Sequence, residues 1–132
     1  MMVQGFQFAA VAAGIKKTGG VDLALMVAET PAAAAGVYTT NRVKAAPVLV
    51  CRQRLRGGKA QAILVNSGNA NAATGPEGLE VARQTTKAAA ELLNIPEGLV
   101  LPASTGVIGL PLPVAKFTDA LPELVARLHP GG

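Results

Sequence analysis

The sequence predicts an α/β (α+β) fold, with a β-rich N-terminal half followed by a β-loop-α-β unit and short terminal helices. Three observations carry this expectation. Short apolar runs broken by glycines and polar turns fill residues 6–66, the pattern of strands joined by brief connections. Thr74 and Glu77 stand at capping-box spacing with Pro76 between them, which opens a helix. Pro113 and Pro122 then stand beside apolar residues at helical spacing.

In order along the chain, Phe6 to Ala13 is apolar and extended, Lys16 to Gly20 supplies turn residues and Asp22 to Glu29 returns, together a hairpin. Ala32 to Ala35 is bracketed by Pro31 and Gly36, leaving room for no more than a turn. Gly36–Thr40 and Pro47–Cys51 are two further short strands, and Arg54–Lys59, with paired glycines, is an exposed turn leading into a strand at Ala60–Asn66. The helix opened at Thr74 carries Leu79, Ala82, Ala89, Leu92 and Leu93 as its buried stripe and ends at Asn94, ahead of Pro96 and Gly98. Leu99–Ala103 is a strand. Pro113 and Pro122 each suit the first turn of a short helix, with a break between them, and the second helix carries Leu121, Leu124, Val125 and Leu128. No internal repeat or low-complexity linker divides the chain, so residues 1–132 read as one domain.

Composition limits the function classes. At 132 residues, half of them hydrophobic, the chain is large enough to bury a core. With three Phe, one Tyr and no Trp, that core is built from small aliphatic groups. So few charges beside so much apolar content imply apolar surface meant for a partner. No apolar run approaches the roughly 20 residues of a membrane span, and Met1 to Gly5 lacks the charged and apolar regions of a signal peptide, so a cytoplasmic location is expected. Cys51 is the single cysteine and His129 the single histidine, which leaves no disulfide and no metal site. Cys51 ends an apolar run and reads as a buried structural thiol; His129, beside Pro130 and two glycines, reads as solvated. The net charge of +4 gathers in Arg42, Lys44, Arg52, Arg54, Arg56 and Lys59. That segment has no aromatic after Tyr38 to stack on bases, so a solvated face or attraction of an anionic metabolite is expected rather than nucleic-acid binding.

Two segments carry candidate chemistry. Asn66 to Gly78, NSGNANAATGPEG, joins strand to helix. It reads either as a phosphate cradle at a helix N-terminus or as asparagines closing successive tight turns; it contains neither GxGxxG nor GK[ST]. Leu101 to Gly109, LPASTGVIG, runs an apolar strand into the pair Thr105 and Gly106. A glycine after a hydroxyl residue lets a reacting group approach the main chain, and it equally serves a turn with no ligand.

The blocks VAAGIK, DLAL, AGVYTTNRVKAAPV, VNSGNANAATG and STGVIG, in this order, resemble the N-terminal part of the α chain of the ornithine acetyltransferase family, the bifunctional glutamate N-acetyltransferases and amino-acid acetyltransferases. The likeness runs from about Gly5 to Leu128. It implies the two-chain α/β fold shared with self-cleaving aminopeptidases. In that family the precursor cuts itself and exposes an N-terminal threonine on the β chain, which carries acetyl from N-acetylornithine to glutamate in arginine biosynthesis. The implied partner is therefore a β chain of the same precursor, in an α2β2 heterotetramer. No cofactor is implied, with acetyl-CoA as acetyl donor in bifunctional members. The family's oxyanion-stabilising pair falls on Thr105 and Gly106, and the nucleophile's own α-amine can serve as base, so no Ser/His/Asp set is required.

Two departures accompany the likeness. Ala73 stands where the family commonly has cysteine, which is expected to alter packing and leave the oxyanion pair untouched. The resemblance also implies an α chain that continues to a threonine-rich cleavage site and a β chain bearing the nucleophile, so residues 1–132 read as an incomplete α chain, inactive alone. The competing expectations are a stand-alone anion-binding module using residues 66–78, or a non-catalytic fragment that needs a partner to fold.

Overall fold

The computed structural model describes residues 2–131; Gly132 and Met1, the first residue of the segment read for a leader, lie outside the described residues. A four-stranded sheet in the order β1-β2-β3-β4 is formed by β1 (Phe6–Val11), β2 (Leu23–Ala33), β3 (Lys59–Asn66) and β4 (Val100–Ser104), with helices α1 (Ala46–Arg54), α2 (Gly75–Leu93) and α3 (Val114–Ala126). β1 and β3 run antiparallel to β2, whereas β4 is parallel to β3, as a strand reached through a crossover helix must be to reuse the same sheet edge direction. The mixed α/β expectation is met.

The hairpin forms, with a longer connection than the turn residues imply. β1 stops at Val11 because the Asp22 carboxylate draws the N–H groups of Ala13, Ile15 and Lys16 onto itself at 2.6–2.9 Å, curling the chain away from the ladder. β2 extends past Glu29 into the first two of the alanines expected to turn: beyond a bulge between Val27 and Ala32, it pairs Ala32 with Ala60 and Ala33 with Lys59. Pro31 lies inside that bulge, where its missing N–H removes no ladder bond.

Further expectations fail. Gly36–Thr40 forms no strand. Pro47–Cys51 is helical: Pro47 occupies the first turn of α1, its fixed φ suited to that position, and Ala46, Pro47 and Val50 are buried. A short apolar run does not by itself distinguish a buried strand from a buried helix. The break expected between Pro113 and Pro122 is absent, since α3 runs through Pro122 with Pro113 as its N-cap. Phe117, Leu121 and Leu124, each at most 2% exposed, recur at i, i+4 and i+7 and hold the helix to the sheet, each contributing about 1.5–3 kcal/mol, comparable with the cost of an interior proline.

α2 begins and ends where expected, with Asn94 in the left-handed conformation donating to Ala90 and Glu91 carbonyls. Its buried residues include Ala82, Thr85, Thr86, Ala89 and Ala90, while Leu92 is exposed and Leu79 and Leu93 only half-buried. The capping box does not close: the Thr74 hydroxyl donates to Asn71 Oδ1 at 2.8 Å and makes no cap bond.

Strand alternation gives the sheet two unlike faces. Rows such as Ala9–Leu25–Leu64 are buried under the helices with Ala89, Phe117, Leu121 and Leu124. The opposite rows, Phe8–Met26–Ile63 and Ala10–Ala24–Val65, are also apolar but remain half-buried or exposed, because no helix lies over them.

Candidate active site

β4 delivers Thr105 to the end of the sheet. The register sets Ser104 opposite Asn66 on the helix-covered face, so alternation turns Thr105 toward the bare one. There it shares a cavity of about 150 Å³ with Ala24, Val65, Asn66 and Ser67. The Thr105 amide extends the ladder by donating to Asn66 O at 3.1 Å. Its hydroxyl is left as the group able to serve a ligand, on an exposed residue.

Gly106 follows at φ +132°, a backbone that side chains rarely adopt. Its α-carbon rests on the peptide joining Gly68 to Asn69, where a β-carbon would stand 2.5 Å from Asn69 N and 2.8 Å from Gly68 Cα. Val107 and Asn69 form a bridge, with Ala70 N donating to Val107 O at 2.9 Å. Among the described residues the Gly106 N–H has no acceptor. The corner thus presents a hydroxyl and a main-chain N–H on consecutive residues.

The asparagine loop is the other half of this construction. Asn66, Asn69 and Asn71 are buried. Asn66 Nδ2 donates to Asn69 O at 2.9 Å, Asn71 N to Asn69 Oδ1 at 2.8 Å and Asn71 Nδ2 to Gly78 O at 2.8 Å. The side chains close turns inside the protein, and the Ala70 and Asn71 amides are likewise engaged. Over residues 66–71 the loop thus follows the reading of successive turns closed by asparagines. Ala73 is exposed and holds φ +54°, a left-handed backbone that strains alanine and cysteine alike because each carries a β-carbon.

Behind the loop, Asp22 anchors the neighbouring layer. Burial raises its pKa, but N–H donors from Lys16, Ala13 and Ile15, with the Lys16 charge, outweigh this and hold it below the ordinary carboxylate value. Its carbonyl accepts from Ser67 N at 2.9 Å. Lys16, fixed in this way, lies against the outer side of Gly68. A cavity of about 480 Å³ opens beside Lys16, Thr18, Gly68, Asn69, Val107 and Leu110.

The basic cluster is split by the fold. Arg42, Lys44 and Arg52 line one cavity near the start of α2, whereas Arg54, expected in an exposed turn, has a side chain only 8% exposed and pairs with Glu97 at 3.0 Å. It also donates to Thr86 Oγ1 and Val100 O. Cys51 donates to Pro102 O at 3.2 Å; burial pushes its thiol up, against the opposing Arg54 charge, consistent with a structural role. The His129 side chain is exposed, while its backbone pairs with Phe8. Among the described residues no cluster of His, Cys, Asp and Glu could hold a metal, and no helix is long and apolar enough to cross a membrane.

The ArgJ family profile matches residues 7–130. The chain belongs to the ArgJ family. It is 55% identical over 128 residues to the arginine biosynthesis bifunctional protein ArgJ of Geobacter sulfurreducens, covering 97% of this chain and 33% of that protein. To the protein of the same description from Thermosynechococcus vestitus it is 52% identical, covering 98% of this chain and 31% of the relative. The chain therefore spans about a third of the length of these relatives. Among solved structures it is similar to the ornithine acetyltransferase of Mycobacterium tuberculosis complexed with ornithine, with a TM-score of 0.93 and 45% identity over 98% of this chain and 69% of that one. The ArgJ protein of Bacillus halodurans gives a TM-score of 0.85 at 43% identity, covering 89% of this chain and 62% of that one.

Within this ArgJ-family fold, LPASTGVIG and NSGNANAATG are thus two sides of one structure. Its less visible parts are the Gly68–Gly106 contact and the Asp22 anchor. Asp22 opens the DLAL block, but its anchoring role left no pattern in the sequence, since its donors come from backbone.

Proposed function

We propose that this chain is the α-chain portion of an ornithine acetyltransferase and supplies the oxyanion-stabilising half of its site. The nucleophile, an N-terminal threonine, belongs to the β chain of the same precursor, and the two chains assemble as an α2β2 enzyme of the cytoplasm. The threonine hydroxyl attacks the acetyl carbonyl of N-acetylornithine, its proton passing through its own α-amine to the departing ornithine nitrogen. The acetyl group, held as a threonyl ester, is then taken by the amino group of glutamate, and the hydroxyl is regenerated. Both steps pass through a tetrahedral oxyanion, toward which Thr105 Oγ1–H and Gly106 N–H act as donors. Donors fixed before reaction stabilise that charge without reorganising, and the chemistry needs no cofactor.

The observation that carries this reading is the position of Thr105 at the border of the bare apolar face, next to Val65, with Gly106 directly after it. A partner covering that face would bury the rows through Met26, Ile63 and Val65 and bring its own groups to the two donors in a water-poor setting. The test is acetyl transfer from N-acetylornithine to glutamate, measured for the complete enzyme and for these residues alone. Turnover by the complete enzyme and none by the isolated chain is expected. Turnover by the isolated chain, or its absence from the complete enzyme, overturns the proposal.

A further inference from the structure

We infer that Asn69 is a positioning residue that sets the Thr105–Gly106 corner for catalysis, an inference that rests on the oxyanion role proposed for that pair. Asn69 is 6% exposed, and both ends of its amide are engaged. Nδ2 donates to Leu110 O at 3.2 Å and to Pro111 O at 3.0 Å, while Oδ1 accepts from Asn71 N at 2.8 Å. Two adjacent carbonyls on one segment and an amide N–H on another call for a side chain with two donors and an acceptor at fixed separation, which among short side chains asparagine alone supplies.

The segment so held is the continuation of the corner. Upstream, Thr105 N is tied to Asn66 O at 3.1 Å. In the middle, Gly106 lies on the Gly68–Asn69 peptide, which Lys16 supports from its other side. Downstream, the Asn69 side chain fastens Leu110 and Pro111, so that Thr105 and Gly106 are spanned between two anchors of one buried loop. Without the downstream anchor, Val107 to Pro111 is held by the bonds of Val107 to Gly68 and Ala70, and of Gly109 to Ala72. Val107, Ile108 and Leu110 are between 48% and 68% exposed, so side-chain packing adds little restraint. Oxyanion stabilisation depends on donor placement to a fraction of an ångström and acts in the transition state, not in substrate binding.

The experiment is a double-mutant cycle in the complete enzyme, reading kcat and KM per folded active site for Asn69→Asp, Thr105→Ala and the pair. Asn69→Asp keeps the volume and the acceptor but sets a carboxylate oxygen against two carbonyls. The expected result is a kcat lowered on the order of 10-fold with KM nearly unchanged, and a much smaller loss when the same change is made in Thr105→Ala. Where Asn69→Asp does not accumulate as folded enzyme, Asn69→Ser carries the same cycle. An unchanged kcat, or a loss equally large in both backgrounds, overturns the inference while leaving the oxyanion role intact. A Thr105→Ala enzyme with undiminished kcat overturns the underlying role and this inference with it.

Discussion

Gly106 and Gly68 meet backbone to backbone, close enough that a β-carbon on Gly106 would stand 2.8 Å from the Gly68 α-carbon. The contact joins the end of β4 to the asparagine loop with no side chain between them, and φ at Gly106 is +132°. Gly106→Ala is therefore expected to fail on two counts, close approach and backbone strain. Thermal unfolding should show a loss of about 2–3 kcal/mol, and the complete enzyme should lose kcat on the order of 100-fold as its main-chain donor moves. Retention of both stability and kcat would show the contact to be dispensable.

Asp22 gives stability a signature in acid. Burial opposes its charge, yet three backbone N–H groups and Lys16 depress its folded-state pKa. A depressed folded value means that the stabilisation is complete above the unfolded value of about 3.9 and is lost as pH falls through the folded one. Asp22→Asn should be less stable at neutral pH by about 2–3 kcal/mol, with the gap closing below about pH 4. Denaturant titrations across pH check this; a gap that does not change with pH assigns the anchoring to shape and not to charge.

Arg54 is the hub between α1, α2 and β4, through Thr86, Val100 and Glu97. Arg54→Met should destabilise the fold by about 2 kcal/mol, since it removes charge-assisted bonds and leaves the Val100 carbonyl without this donor, while the Thr86 hydroxyl keeps its bond to Ala82 O. Glu97→Gln should change it by less than about 1 kcal/mol, because the Glu97 side chain is 42% exposed. Equal losses in calorimetric melts would mean that the ion pair, and not the buried hydrogen bonds, carries the contribution.

Ala73 holds φ +54° on an exposed stretch of the loop. Ala73→Gly is expected to raise stability by up to about 1 kcal/mol by relieving a left-handed residue that has a β-carbon, with acetyl transfer unchanged. A lower melting temperature would mean that the entropy of the added glycine outweighs the strain.

These features differ in how far they could be seen in the amino-acid order. α2 was legible because its start at Pro76, its apolar spacing and its Asn94 stop act locally and agree. The β1–β2 hairpin was legible from two extended runs flanking turn residues, although its true ends depended on Asp22 reaching across to backbone groups, which no pattern displays. Pro47–Cys51 and Pro122 were misleading for one reason: in both, tertiary burial outweighed a local tendency, holding α1 helical and carrying α3 through its proline. At the candidate site Thr105 and Gly106 could be picked out through resemblance. Turn closure by the asparagines was one of the readings open in the sequence, whereas the bonds of Asn69 to Leu110 and Pro111, 41 and 42 residues away, have no local signature.

The proposed catalytic role rests most directly on the Thr105 hydroxyl, and steady-state kinetics of Thr105→Ala in the complete enzyme, with N-acetylornithine as donor and glutamate as acceptor, test it. Loss of one preorganised donor predicts kcat reduced on the order of 100-fold with KM little changed. A kcat equal to that of the unaltered enzyme would contradict it.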